Sequence, residues 1–114
     1  MAYNEKIAAR IREALMEVPN VEEKKMFRGL TFMVDGKMCI SASGPDEIMC
    51  RFDPALQESI VEKNGVREMI MKGKIMKGYV YVHESALNTK KALDFWINIA
   101  LDFNKRAKAS KKRK

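Results

Sequence analysis

Leu30-Thr31-Phe32-Met33-Val34-Asp35-Gly36-Lys37-Met38-Cys39-Ile40-Ser41 is the stretch on which the fold turns. Asp-Gly stands between two apolar, β-prone runs, and both residues accept the positive φ of a tight hairpin turn. A two-residue loop would oppose Val34 to Lys37, Met33 to Met38, Phe32 to Cys39 and Thr31 to Ile40. Downstream, Ser43-Gly44-Pro45-Asp46 punctuates the chain before Glu47–Phe52. A loop over Ser43–Asp46 would oppose Ala42 to Glu47, Ile40 to Met49 and Cys39 to Cys50. Upstream, Glu22–Arg28 completes a four-strand meander.

Opposed residues share a sheet face and successive ones alternate. Leu30, Phe32, Val34, Cys39, Ile48, Cys50 and Phe52 are therefore expected on one face, and Thr31, Met33, Met38, Ile40, Met49 and Arg51 on the other. Both faces are apolar, so each needs cover, from the chain's own helices or from a partner. Methionine suits adaptable contacts. Met33, Met38, Ile40 and Met49 are the candidate partner-binding residues, with a homodimer or a regulatory protein as occupant.

Helical periodicity flanks the meander. Asn4 can cap a helix whose apolar positions Ile7, Ile11, Ala14, Leu15 and Val18 fall three and four apart, up to Pro19-Asn20. Asp53-Pro54 opens a second, with Leu56, Ile60 and Val61 inward and Asn64-Gly65 at its end. Val66–Met76 reads as irregular or edge structure leading into the strand Tyr79–Val82. A last helix begins near Asn88 or Thr89 and carries Ala92, Leu93, Trp96, Ile97, Ala100 and Leu101 inward. The expectation is an α+β domain, an antiparallel sheet of about five strands with three helices in the order α-β-β-β-β-α-β-α.

The whole chain has 114 residues and a net charge of +7, unevenly placed. Residues 105–114 hold seven of the 22 basic residues and no acidic one, which leaves 15 basic against 15 acidic in residues 1–104. The expected division is a neutral domain over 1–104 and a disordered basic tail over 105–114. Lys105, Arg106, Lys108, Lys111, Lys112, Arg113 and Lys114 can serve solubility alone or hold phosphate backbones without reading sequence. A second basic group, Lys24, Lys25, Arg28, Lys72, Lys74 and Lys77, is either a set of solvated strand ends or an anion or nucleic-acid site. No run is apolar and long enough for a membrane span or a secretory signal, and a cytoplasmic location is expected.

Catalytic parts are sparse. His83 is the only histidine, two cysteines are too few for a zinc site, and no serine sits in a nucleophile elbow. Gly73 to Gly78 has the glycine spacing of a phosphate loop, but Tyr79-Val80 replace the lysine and hydroxyl residue it needs. Catalytic residues, metal and cofactor are all expected to be none. Cys39 and Cys50 are expected as buried thiols in a reducing compartment.

Lys24-Lys25-Met26-Phe27-Arg28-Gly29-Leu30, Phe32, Gly36, Met38 and Met76-Lys77-Gly78-Tyr79-Val80-Tyr81-Val82 resemble the amino-terminal domain of the TfoX competence-regulator family. So do Tyr3–Ala8 and Ala92-Leu93-x-x-Trp96. The pattern departs at Arg28, where glycine is common in the family, and at Tyr79, where tryptophan is. The resemblance implies a stand-alone regulatory module. Longer members carry a second domain and are thought to act with the cyclic-AMP receptor protein at competence promoters. Together these readings point to a non-enzymatic module acting by protein contact, with nonspecific DNA contact through the tail. The alternative is a small-molecule or anion-binding protein using the basic strand ends around Lys25, Arg28, Lys72 and Lys77.

Overall fold

The computed structural model describes residues 3–26 and 29–107. Helix α1, Glu5–Ala14, starts where Asn4 Oδ1 accepts hydrogen bonds from the N–H groups of Lys6 at 2.8 Å and Ile7 at 3.2 Å. It ends one turn before Val18, the remainder being turn. Four strands follow, β1 Val21–Met26, β2 Gly29–Val34, β3 Lys37–Ser43 and β4 Glu47–Arg51. A 3₁₀ turn, Pro54–Leu56, capped by Asp53, leads into the short α2, Gln57–Val61. Then come β5 Val66–Met71, β6 Lys74–His83, a second 3₁₀ turn Glu84–Leu87, and α3 Lys90–Asn104. Thr89 Oγ1 caps α3 by accepting from Ala92 N–H at 3.0 Å.

The strands form one antiparallel sheet in the order β1-β2-β3-β4-β6-β5. The α+β class is as expected, with six strands in place of about five. The added strand, β5, lies at the edge of the sheet, in the segment expected to be irregular or edge structure. Lys72 at φ 52° and Gly73 at φ 78° make a two-residue turn that pairs Met71 with Lys74 and Ile70 with Ile75.

The hairpin registers need two corrections. Val34 opposes Lys37 and Met33 opposes Met38, as the Asp-Gly turn dictates, but Phe32 then opposes Ile40 and Thr31 opposes Ser41. Cys39 is the extra residue of a β-bulge. The next loop is three residues, Gly44–Asp46, because Ser43 pairs with Glu47 inside the ladder. Ile40 thus opposes Cys50, and the expected pairing of Cys39 with Cys50 is replaced. The two shifts offset each other in β4, so Ile48 and Cys50 stay on the Phe32 side. Ile40 changes face.

The three helices of the described residues all cover that side. Ile7, Ile11, Ile60, Leu93, Trp96 and Ile97 pack with Phe32, Ile40, Ile48, Phe52, Val80 and Val82 in one continuous core. Cys39 and Cys50 are free, buried thiols within it. Burial pushes the Cys39 thiol up to about 12, and burial with Cys39 close by raises Cys50 well above the ordinary range. On the reverse face, Ser41 takes the position expected for Ile40 and joins Thr31 through a 3.1 Å hydroxyl contact. Among the described residues no helix is long and apolar enough to cross a membrane.

Candidate nucleic-acid interface

Strand direction decides which charges meet. β2 and β4 run toward one end of the sheet, and β3 and β6 start there, so that end gathers Asp35-Gly36-Lys37, Arg51 and the β5–β6 turn. α3 finishes at the same end. Asn104 Nδ2 donates to Val34 O at 3.3 Å, and Arg106 meets Asp53 at 3.0 Å and Asp102 at 3.1 Å. Hydrogen bonds donated to both carboxylates hold the Arg106 guanidinium in its charged form. Ala55 N–H and Arg106 together lower the Asp53 pKa. The Phe103 ring lies 5.5 Å from the guanidinium carbons of both Arg51 and Arg106. Lys105 is exposed beside this clasp.

The β5–β6 hairpin extends past its neighbour. Among the described residues β6 pairs with β4 only from Tyr79 to His83, and beyond the Phe52 N–H to Gly78 O bond of 2.8 Å its only strand partner is β5. At that point the chain is bent. Met69 alone on β5 faces the four residues 76–79 of β6, and Gly78 takes φ 92°. A Cβ there would stand 3.0 Å from Phe52 O and 3.1 Å from Pro54 Cγ, and Gln57 Oε1 accepts Gly78 N–H at 2.9 Å. The root of the arm is therefore fixed. Its outer part, 70–77, carries Lys72, Lys74 and Lys77 with no acidic residue. Ile70 is 61% exposed, and Met71 and Ile75 are 49% exposed.

The structure brings Lys72, Lys74, Lys77, Lys105 and Arg106 to one end. Lys24 and Lys25 lie on β1, the opposite edge strand, toward the other end of the sheet. The basic strand ends are therefore split between two edges. Arg28, Lys108, Lys111, Lys112, Arg113 and Lys114 lie outside the described residues. His83 Nδ1 accepts from Ser85 N–H at 3.1 Å, and its Nε2 is 3.4 Å from Asp46, so it caps the turn after β6. Gly73 to Gly78 sits in the hairpin, with strand after it.

Met33, Met38 and Met49 are 5%, 4% and 0% exposed, and with Met69 they form a second core cluster. The side chains packed around it, Met26, Met76, Tyr79 and Tyr81, all come from strands. Helices lie on the other face, where Ile40 is fully buried among them. The expected cover for this face is helices or a partner, whereas the side chains packed on it come from strands, and the arm is the ordered form of the expected irregular or edge segment. Lys72-Gly73, between Met71 and Lys74, is the available signal for the arm, weaker than Asp-Gly because lysine seldom takes positive φ.

A broad cleft of about 770 Å³ lies between α1 and α3, bordered by Arg10, Glu13, Glu17, Lys90 and Asp94. Its mixed charges select no one ligand class. Among the described residues no group of His, Cys, Asp and Glu is placed to hold a metal ion.

No curated protein and no solved structure matches the chain significantly. Residues 13–104 match the family model described as the TfoX N-terminal domain, and the chain belongs to that family.

Proposed function

We propose that the chain is a non-enzymatic regulatory module that works by contact with other macromolecules, using its basic end to hold DNA without reading its sequence. One observation carries this reading. α3 delivers Lys105 and Arg106, the first residues of the basic carboxyl-terminal run, to the sheet end that also bears Lys72, Lys74 and Lys77. Counterion release from phosphates would supply the affinity, so binding should weaken steeply with salt. Family membership supports the regulatory part, in which a protein partner is contacted as well.

The test keeps the chain whole. Lys108, Lys111, Lys112, Arg113 and Lys114 are replaced by glutamine, and duplex affinity is followed from 50 to 200 mM salt. The log–log salt slope should become shallower by up to about 4.5, at about 0.9 for each phosphate no longer neutralised. Equal affinity and equal slope would remove the tail from the account.

A further inference from the structure

We propose that the β5–β6 arm, residues 70–77, is a DNA-binding β-ribbon whose lysines grip the phosphates flanking a groove while Ile70 and Ile75 lie against the groove wall. The proposal rests on the DNA reading above and adds an ordered element to it.

Shape comes first. From Lys74 to Gly78 the arm spans up to about 13 Å at strand rise, and it is two strands wide. A two-stranded ribbon is one of the two elements that the roughly 12 Å major groove admits. The arm can present itself because β4 ends at Arg51, level with Tyr79, and leaves the outer residues of β6 flanked, among the described residues, by β5 alone.

Charge comes second. Lys72 sits in the turn, Lys74 just after it and Lys77 near the root, so positive charge lines the arm from tip to base with no carboxylate among residues 70–77. The two sheet edges differ in this respect. β1 carries Glu22, Glu23, Lys24 and Lys25, a neutral set that blunts an edge against pairing. The arm carries cations with exposed Ile70, Met71 and Ile75. Cations interleaved with apolar side chains suit phosphates and the sugar and base edges between them. A bilayer fits less well. The three side chains together hold fewer carbon atoms than a myristoyl chain, which by itself gives only marginal membrane binding.

The experiment uses the whole chain and a 16-base-pair duplex titrated at 50 and 200 mM salt. Lys72, Lys74 and Lys77 are changed to glutamine in one variant. Lys24 and Lys25 are changed to glutamine in a control that also lowers net charge. Each lysine bound to a phosphate should contribute about 0.9 to the salt slope, so the arm variant should have a slope shallower by about 2.7. Over that fourfold salt range it should lose about 40-fold less affinity than the unaltered chain. The control should stay close to the unaltered chain.

Ile70→Thr with Ile75→Thr, a pair that keeps β propensity, should weaken binding about fivefold with the slope unchanged. All substituted side chains are exposed, and matching thermal unfolding would show that the fold is intact. Arm variants that bind like the unaltered chain, while glutamine at 108–114 still weakens binding, would overturn the arm alone. A control as weak as the arm variant would also overturn it, by reducing the effect to net charge. An unaltered chain that binds anionic vesicles and no duplex at 50 mM salt would overturn both DNA readings.

Discussion

Met49→Ala measures whether the reverse face of the sheet is a closed core. The Met49 side chain is fully buried, opposite Ser41 on one side and Tyr81 on the other, within the cluster of Met33, Met38 and Met69. Truncating a buried methionine costs about 2–5 kcal/mol, the transfer of its deleted atoms plus the cavity left behind. The surrounding methionines are flexible and can fill part of the gap, which places the expected loss near 2–3 kcal/mol. With a urea slope of about 1.5 kcal/mol/M, the unfolding midpoint should fall by about 1.3–2 M at constant slope. Met16→Ala, at a residue 72% exposed, should move it by less than about 0.3 M. Met49→Lys would place an unpaired ammonium in the same site and should abolish folding. A midpoint shift below about 0.5 M for Met49→Ala, or a folded Met49→Lys protein of altered sedimentation mass, would refute the closed core. Either result would reopen the face as a docking surface.

Gly78→Ala should cost about 2–3 kcal/mol, because a side chain at φ 92° is strained and its Cβ would press on Phe52 O at 3.0 Å; thermal unfolding reads it. Both thiols should resist a disulfide-exchange reagent at pH 8 until the protein unfolds, since burial keeps them protonated. Their raised values stabilise the fold fully below the unfolded thiol range. That stability should be lost as pH rises from about 9 toward 12, more steeply than in a Cys39→Ala, Cys50→Ala variant followed by urea unfolding. Arg106→Gln should raise the Asp53 pKa toward the ordinary carboxylate range, as carboxyl NMR titration would show, while Ala55 N–H still holds it partly down.

Local chemistry explains which parts of this molecule were legible in its residues. Asn4 and Thr89 cap helices where their side chains can reach free N–H groups. Asp35-Gly36 sets the first pairs of the hairpin because its backbone preferences are local. The bulge at Cys39 is not local. It accommodates Ile40 under α3 and α1, a demand made by packing from distant parts of the chain, and no nearby residue announces it. The second hairpin was obscured for a similar reason. Lys72 is an unusual occupant of a positive-φ turn, and the residues from Met76 to Tyr79 break the alternation that marks a strand. The candidate site suffered most from this. Lysines grouped by the sequence reading, such as Lys25 and Lys77, are parted by strand order, whereas Lys77 and Lys105, far apart in the chain, lie at the same end of the sheet.

A residue-by-residue footprint of duplex DNA on the full chain tests the basic end most directly. In an amide NMR titration at 50 mM salt, the largest shifts should fall on the backbone of 70–77 and on Lys105 and Arg106, with Lys24 and Lys25 unmoved. Shifts centred on β1, or spread evenly over every exposed lysine, would contradict the account.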